Sequence, residues 1–249
     1  MNRHTIFISD LHLSNNKPEI IKLFFRFLEM ITLTCDAIYI LGDFFNFWVG
    51  DDDYSIFNEQ IKNALKRASR KSKIYLMPGN RDFLLGINFA NESGCRLISD
   101  PYEIMLYGRK TLLTHGDLLC SKDIKYLIFR NIIRMPWSIQ FFLKLPLNIR
   151  TIIANSIQKI STKIKIKKDP VMLLTQLKEI KNLLYQYDLN QLIYGHVHIA
   201  AIEELMLGTK QIRCFSLGKW SNRAEILIYY DTHKFEFKIF PPYSAKKRA

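Results

Sequence analysis

The chain has 249 residues, 48 % of them hydrophobic, and a formal net charge of +13. That apolar share supports a sizeable core and excludes a disordered chain, and the length suits one large domain or a domain carrying an insertion. The positive charge favours anionic partners: phosphorylated substrates, phospholipid surfaces or nucleic acid.

The N-terminus runs directly into a strand-like pattern without an apolar signal core, which predicts a cytoplasmic protein. Thr5 to Ser9 is short, apolar and β-branched, and reads as a buried strand. Pro18 opens a helix over Glu19 to Ile31, a position helices accept at their start. Ala37 to Leu41 is a second buried strand, Phe57 to Lys71 an amphipathic helix and Lys73 to Met77 a third strand. Such alternation predicts an α/β sheet with parallel strands.

A hairpin follows, Tyr102 to Tyr107 and Thr111 to Thr114, turning at Gly108-Arg109-Lys110. After a basic segment, a helix over about Val171 to Tyr187 leads into the strand Gln191 to Tyr194. Ala201 to Leu207 turns near Gly208 into Gln211 to Leu217, and Ala224 to Tyr230 turns at Asp231-Thr232 into Lys234 to Phe240. Two packed sheets with flanking helices fit this order. Cys35, Cys95, Cys120 and Cys214 form no CxxC pair, which predicts free thiols rather than a zinc ribbon or redox motif.

Five short motifs each follow an apolar strand: Asp10-Leu11-His12, Gly42-Asp43, Gly79-Asn80-Arg81-Asp82, Thr114-His115-Gly116-Asp117 and Gly195-His196-Val197-His198. Open α/β sheets bind ligands at the carboxyl ends of their strands, so five strand ends offer ligand side chains to one edge. Carboxylate, imidazole and amide oxygen together suit Mn²⁺, Fe²⁺ or Zn²⁺. Seven candidate ligands, Asp10, His12, Asp43, Asn80, His115, His196 and His198, exceed the needs of one ion and imply two. A single such motif is ordinary polar capping, and His4 and His233 keep that reading. Yet four of the six histidines fall in these motifs.

In this set and order the motifs resemble those of the calcineurin-like metallophosphoesterases. The resemblance implies an α/β (α+β) fold, a two-sheet β-sandwich flanked by helices (αββα). It implies one metal on Asp10, His12 and His198, a second on Asn80, His115 and His196, and Asp43 as the bridge. One position departs: many members carry His after the GN Asn, where a proton donor serves the leaving oxygen, and this chain has Arg81. Arginine stays charged and cannot act as a general acid, but it stabilises charge on phosphoryl oxygens. A phosphate leaving group, with a second pKa of about 6, needs no proton. Arg81 therefore favours cleavage of a pyrophosphate bond, with Arg81, Asp43 and His196 as the catalytic residues.

The surroundings, FWVGDDD from Phe47, GNRDFLLG from Gly79 and THGDLLCSKD from Thr114, resemble the pyrophosphatases of lipid A biosynthesis that act on UDP-2,3-diacylglucosamine. That resemblance implies two Mn²⁺ ions, a UDP-linked diacylated glucosamine as substrate, and contacts to it from Asn80, Arg81, Asp123, Ser161, Lys165, Lys168 and His196. It further implies a monomer without nucleic-acid partners, peripheral on the inner face of a bacterial inner membrane.

The expected domain is single, 1–249, with an insertion at 122–168. Lys122 to Lys168 holds eleven Lys or Arg against one acid, a net +10 of the chain's +13. Ile153, Ile157, Ile160 and Ile164 make an apolar stripe at helical spacing, and Lys159, Lys163 and Lys167 a basic one. That pairing suits a helix lying on anionic lipid, and the resemblance implies a lid over acyl chains. The plainer reading is a helical pair packed on the core. Tyr126, Phe129, Trp137, Phe141 and Phe142, set among Leu and Ile, suggest a greasy pocket rather than a stacking platform for nucleic acid. A nucleotide phosphodiesterase or nuclease with the same metals is the rival reading, followed by a non-catalytic scaffold. Asp51, Asp52 and Asp53 read as a helix cap rather than a further metal site, and Asp82 and Asp117 as partners of histidine N–H groups.

Overall fold

The computed structural model describes residues 3–31, 35–119, 124–163 and 170–241. In chain order its first elements are β1 (His4–Ile8), α1 (Pro18–Ile31), β2 (Ala37–Leu41), α2 (Ile56–Ser69), β3 (Lys73–Met77), α3 (Ile87–Ser93) and β4 (Arg96–Leu97). Then come β5 (Tyr102–Leu106), β6 (Arg109–Thr114), α4 (Ile124–Ile133), α5 (Pro136–Lys144), α6 (Leu147–Lys163), α7 (Pro170–Gln186) and β7 (Gln191–Tyr194). The chain closes with β8 (Ala201–Leu207), β9 (Lys210–Ser216), β10 (Ala224–Tyr230) and β11 (Phe235–Phe240).

Two sheets form, in the orders β11-β10-β1-β2-β3-β4 and β5-β6-β7-β9-β8. Within the first, β1, β2, β3 and β4 are parallel; within the second, β6, β7 and β9 are parallel. The reason lies in the strand sequences. Successive strand residues point to opposite faces, and β2 is apolar at all five positions, so both of its faces need cover. Ile38 and Ile40 join Phe24 and Phe27 of α1 and Ile61 and Leu65 of α2 in one core. Ala37, Tyr39 and Leu41 turn the other way and meet Leu113, Ile193 and Phe215 of the second sheet. On that sheet's outer face Leu112, Leu192 and Cys214 pack under Ile180 and Leu184 of α7. Helix, sheet, sheet, helix is thus the layer order, the αββα sandwich expected from the motifs.

Several details differ from expectation. The hairpin turns at Tyr107 and Gly108, where both residues have positive φ, so β6 resumes two residues early at Arg109. Strand β4 and helix α3 carried too few residues for a periodic signal. Cys35, Cys95 and Cys214 are free and buried; Cys120 lies outside the described residues. Among the described residues no helix is long and apolar enough to cross a membrane.

Candidate metal centre

All seven expected ligands stand on turns just past the ends of parallel strands, but those strands belong to two sheets rather than one. Asp10, His12, Asp43 and Asn80 follow β1, β2 and β3; His115, His196 and His198 follow β6 and β7. The sheets meet face to face, so their carboxyl ends open at one rim of the sandwich.

The turns are tight and strained. Asp10, His12, Asp43, His196 and His198 all have φ between 48° and 68°, a left-handed conformation that costs a non-glycine residue of order 1–3 kcal/mol and clusters at functional sites. Strand-to-strand hydrogen bonds hold them there: Asp10 N–H donates to Gly42 O at 3.1 Å and His12 N–H to Asp43 O at 2.9 Å. Two glycines make room. A side chain on Gly42 (φ +83°) would run into the His115 imidazole, and one on Gly79 into Asp43.

Two groups of ligand atoms emerge, Asp10 with His12 and His198, and Asp10 with Asp43 and His115, each with its atoms within 4.8 Å of one another. Asp10 Oδ1 lies 3.2 Å from His198 Nε2, and His12 Nε2 lies 3.4 Å from His198 Nε2. Asp43 reaches both groups: Oδ2 is 3.8 Å from His12 Nδ1, and Oδ1 is 3.6 Å from His115 Nε2. Asn80 Oδ1 sits 2.9 Å from His115 Nε2, and the His196 ring stands edge-on to His115 at 5.2 Å.

These residues fit divalent metal. Asp10 Oδ1 and His12 Nδ1 are buried with no hydrogen-bond partner, a costly condition that a cation relieves. Burial holds His12 down to about 3 and His196 down to about 4, so both imidazoles stay neutral with a lone pair free for metal. Burial pushes the Asp43 carboxyl up to about 7. Burial disfavours a charged His115, but Asp43, Asp10 and Asp117 outweigh it and lift the imidazole to about 9. Burial would raise Asp10 too, yet the His198, His115 and His12 imidazoles keep it well below the carboxylate range. The carboxylates are thus balanced by whatever positive charge the site can hold.

The supporting groups were only partly legible. Ser9 Oγ–H and His196 N–H donate to Asp10 Oδ2 at 2.6 and 2.9 Å, and His115 Nδ1 lies 3.0 Å from Leu41 O. Asp100 Oδ1 accepts from Thr114 Oγ–H and His115 N–H at 2.6 and 3.1 Å. Asp82, expected beside a histidine, instead accepts from the backbone N–H of Phe45 and Gly79, so it braces two ligand loops. Asp117 takes the Arg130 guanidinium of α4 at 2.5 Å. The acidic run divides its work. Asp51 caps α3 through Gly86 and Phe89 N–H, Asp52 pairs with Arg150 of α6, and Asp53 accepts from the N–H of Ser55, the N-cap of α2.

Arg81 lies at the mouth. Its backbone N–H donates to Asp43 Oδ1 at 3.0 Å, and its Nε is 3.5 Å from Asp43 Oδ2. Asp123, Lys165 and Lys168 lie outside the described residues, as do Ile164 and Lys167; Ser161 falls within α6, but its side chain is not among those described. Of the expected greasy pocket, Phe142 packs against the core, Phe129, Trp137 and Phe141 face solvent, and the Tyr126 side chain is not among those described.

Residues 3–200 match the model of the calcineurin-like phosphoesterase family. The UDP-2,3-diacylglucosamine hydrolase of Aliivibrio fischeri is 40 % identical over 239 residues, covering 94 % of this chain and 99 % of that protein. Its counterpart in Coxiella burnetii is 37 % identical over 238 residues, covering 96 % and 98 %, and that in Vibrio cholerae 36 % over 228 residues, covering 91 % and 94 %. The chain therefore belongs to the calcineurin-like phosphoesterases and, within them, to the family of the UDP-2,3-diacylglucosamine hydrolases.

Proposed function

We propose that this hydrolase cleaves the pyrophosphate bond of UDP-2,3-diacylglucosamine, giving UMP and 2,3-diacylglucosamine 1-phosphate, a step of lipid A biosynthesis. The observation that carries the reading is Arg81. It lies against Asp43 at the mouth of a two-sided carboxylate–imidazole cluster, where a phosphomonoesterase acting on alcohols needs a proton donor.

Asp10, His12 and His198 would hold one divalent ion and Asn80, His115 and His196 a second, with Asp43 shared; Mn²⁺ suits the oxygen-and-imidazole set. Such ions supply Lewis acidity, lowering the pKa of water and neutralising phosphoryl oxygens. The residues do the rest. Arg81 binds the phosphoryl oxygens and stabilises the charge that grows as water adds in line to the α-phosphorus. The water oxygen remains on UMP, and the sugar phosphate departs without protonation. Asn80 and His196 orient the phosphates. The segment 122–168 would serve as the lid over the acyl chains, with Asp123, Ser161, Lys165 and Lys168 as further substrate contacts. Its exposed Ile128, Phe129, Trp137 and Phe141 support a peripheral seat on the anionic inner face of the inner membrane.

The test is UMP release from UDP-2,3-diacylglucosamine by purified protein with Mn²⁺, beside UDP-N-acetylglucosamine and bis-p-nitrophenyl phosphate. Fast turnover of the diacylated substrate alone is expected. Turnover of only the simple diester would keep the metal centre and replace the substrate with a nucleotide diester.

A further inference from the structure

Among the described side chains, helices α4 to α6 share little apolar surface with the sandwich beyond Ile139, Phe142 and Ala154. Helix α5 has no buried residue, and Ile128, Ile132, Trp137, Phe141 and Ile152 are 45–66 % exposed. Polar contacts to the body therefore matter. Arg130 reaches Asp117, and Arg134 donates to Gly79 O at 2.8 Å; both partners adjoin metal-centre residues. The third contact lies elsewhere. Arg150 of α6 is 2 % exposed and enters the loop after β2. Its Nη1 donates to Val49 O at 2.6 Å and to Asp52 Oδ1 at 2.8 Å, its Nη2 to Asp52 Oδ2, and its Nε to Leu145 O at 2.9 Å. A bidentate guanidinium–carboxylate pair fixes orientation as well as distance.

The loop is shaped for this guest. Gly50 has φ +139°, and a Cβ there would meet Arg150 Nη1, Asp52 Oδ1 and Leu143. Only glycine allows both the backbone angle and the guanidinium. The same loop is stiffened from the other side, because Asp51 accepts from Trp48 Nε1–H and from Gly86 and Phe89 N–H.

We propose that Arg150 is a positioning residue: locked by Asp52, Val49 and the space left at Gly50, it seats α5 and α6 over the substrate without touching substrate or metal. This rests on the function proposed above, in which that segment covers the acyl chains. Unseating the segment should weaken capture of the lipid while the metal centre keeps working on small diesters.

The experiment compares Asp52→Asn, Gly50→Ala and Arg150→Met with the wild type. Asp52 is more than half exposed, so Asp52→Asn is the milder change and is expected to fold where Arg150→Met does not. Expected for each folded variant is a rise in KM for UDP-2,3-diacylglucosamine of roughly tenfold or more, the worth of one charge-assisted hydrogen bond. The kcat and the Mn²⁺-dependent turnover of bis-p-nitrophenyl phosphate stay within about twofold. Asp52→Glu should restore KM in part. A parallel fall on both substrates would mean a general structural role and overturn the proposal, as would unchanged KM. If the wild type does not cleave the diacylated substrate, the functional reading fails. The proposal then stands or falls on hydrogen exchange: amides of 136–157 exchange faster in Asp52→Asn than in wild type while those of β1, β2 and β6 do not, and equal exchange would overturn it.

Discussion

The sandwich and the α4–α6 segment hold themselves together by opposite means. In the sandwich, apolar strands covered on both faces fix the backbone so firmly that five ligand residues can sit in left-handed turns. In the segment, Ile139 and Phe142 pack on the core but many other described apolar side chains face outward, and buried arginines make the directional attachments. Arg130 and Arg150, counted in the sequence within the basic segment, are turned inward onto carboxylates. A packed apolar core can store strain because its contacts are many and non-directional. An attachment through a few guanidinium pairs is directional and specific, and each pair weighs heavily.

The contrast breaks most sharply at the metal centre. Asn80→Ala or His115→Ala should lower kcat by orders of magnitude and reduce the metal-induced rise in melting temperature, with the circular dichroism of the fold unchanged. Near-normal turnover of either variant would refute the ligand assignment. Next comes Arg130→Met, which takes the guanidinium at 2.5 Å from the buried Asp117 carboxylate and leaves it Arg134 at 3.8 Å, at a cost of about 1–3 kcal/mol in urea unfolding. Burial opposes the charge of Asp117, but His115 and Arg130 hold its carboxyl down to about 2. A folded pKa below the unfolded value of about 3.9 stabilises above that pH, and the gain is lost as pH falls through 2. The gap between wild type and Arg130→Met should therefore be full at pH 6 and narrow between about pH 4 and pH 2; a gap independent of pH would mean that packing, not charge, ties α4 down.

Gly42→Ala tests the strained side of the comparison. It sets a Cβ at φ +83° against the His115 ring, costing about 2–4 kcal/mol from backbone strain and overpacking together. Activity should fall further than stability predicts, since the ring displaced carries a candidate metal ligand, Nε2, on its far side. Equal stability to wild type in urea unfolding would show that the turn relaxes freely.

What the sequence made legible follows the same division. Strands β2, β3, β7 and β10 keep the boundaries their apolar runs suggest, because they are largely buried and their runs are continuous, whereas β8 keeps its boundaries with only one face half-covered. The ligands were visible as polar residues directly after those runs. Ser9 and Asp100 were not, since a buried polar residue that hydrogen-bonds its neighbour's ligand has no spacing to betray it. Asp51 was read as a cap, and it is one, but of α3 rather than of the helix that follows it, a contact over 35 to 38 residues. Arg150 was hidden for the reverse reason: a lone arginine among basic neighbours looks solvated, and only Asp52, 98 residues away, says otherwise.

The smallest effect on stability should come from the outward face of α5. Trp137 and Phe141 are 62 % and 66 % exposed, and no residue of their helix is buried. Trp137→Ser with Phe141→Ser should therefore change unfolding free energy by no more than about 0.5 kcal/mol. Transfer of each ring into lipid is worth about 2 kcal/mol, so the double variant should bind anionic vesicles at least tenfold more weakly in a sedimentation assay. The two readings separate cleanly. Rings that served the fold would lower the urea midpoint towards that of Arg130→Met; rings that serve a membrane or an acyl chain leave it untouched and cost only the vesicle. Loss of stability without loss of vesicle binding would move α5 to the sandwich's side of the comparison and overturn the lipid-facing role proposed for the segment.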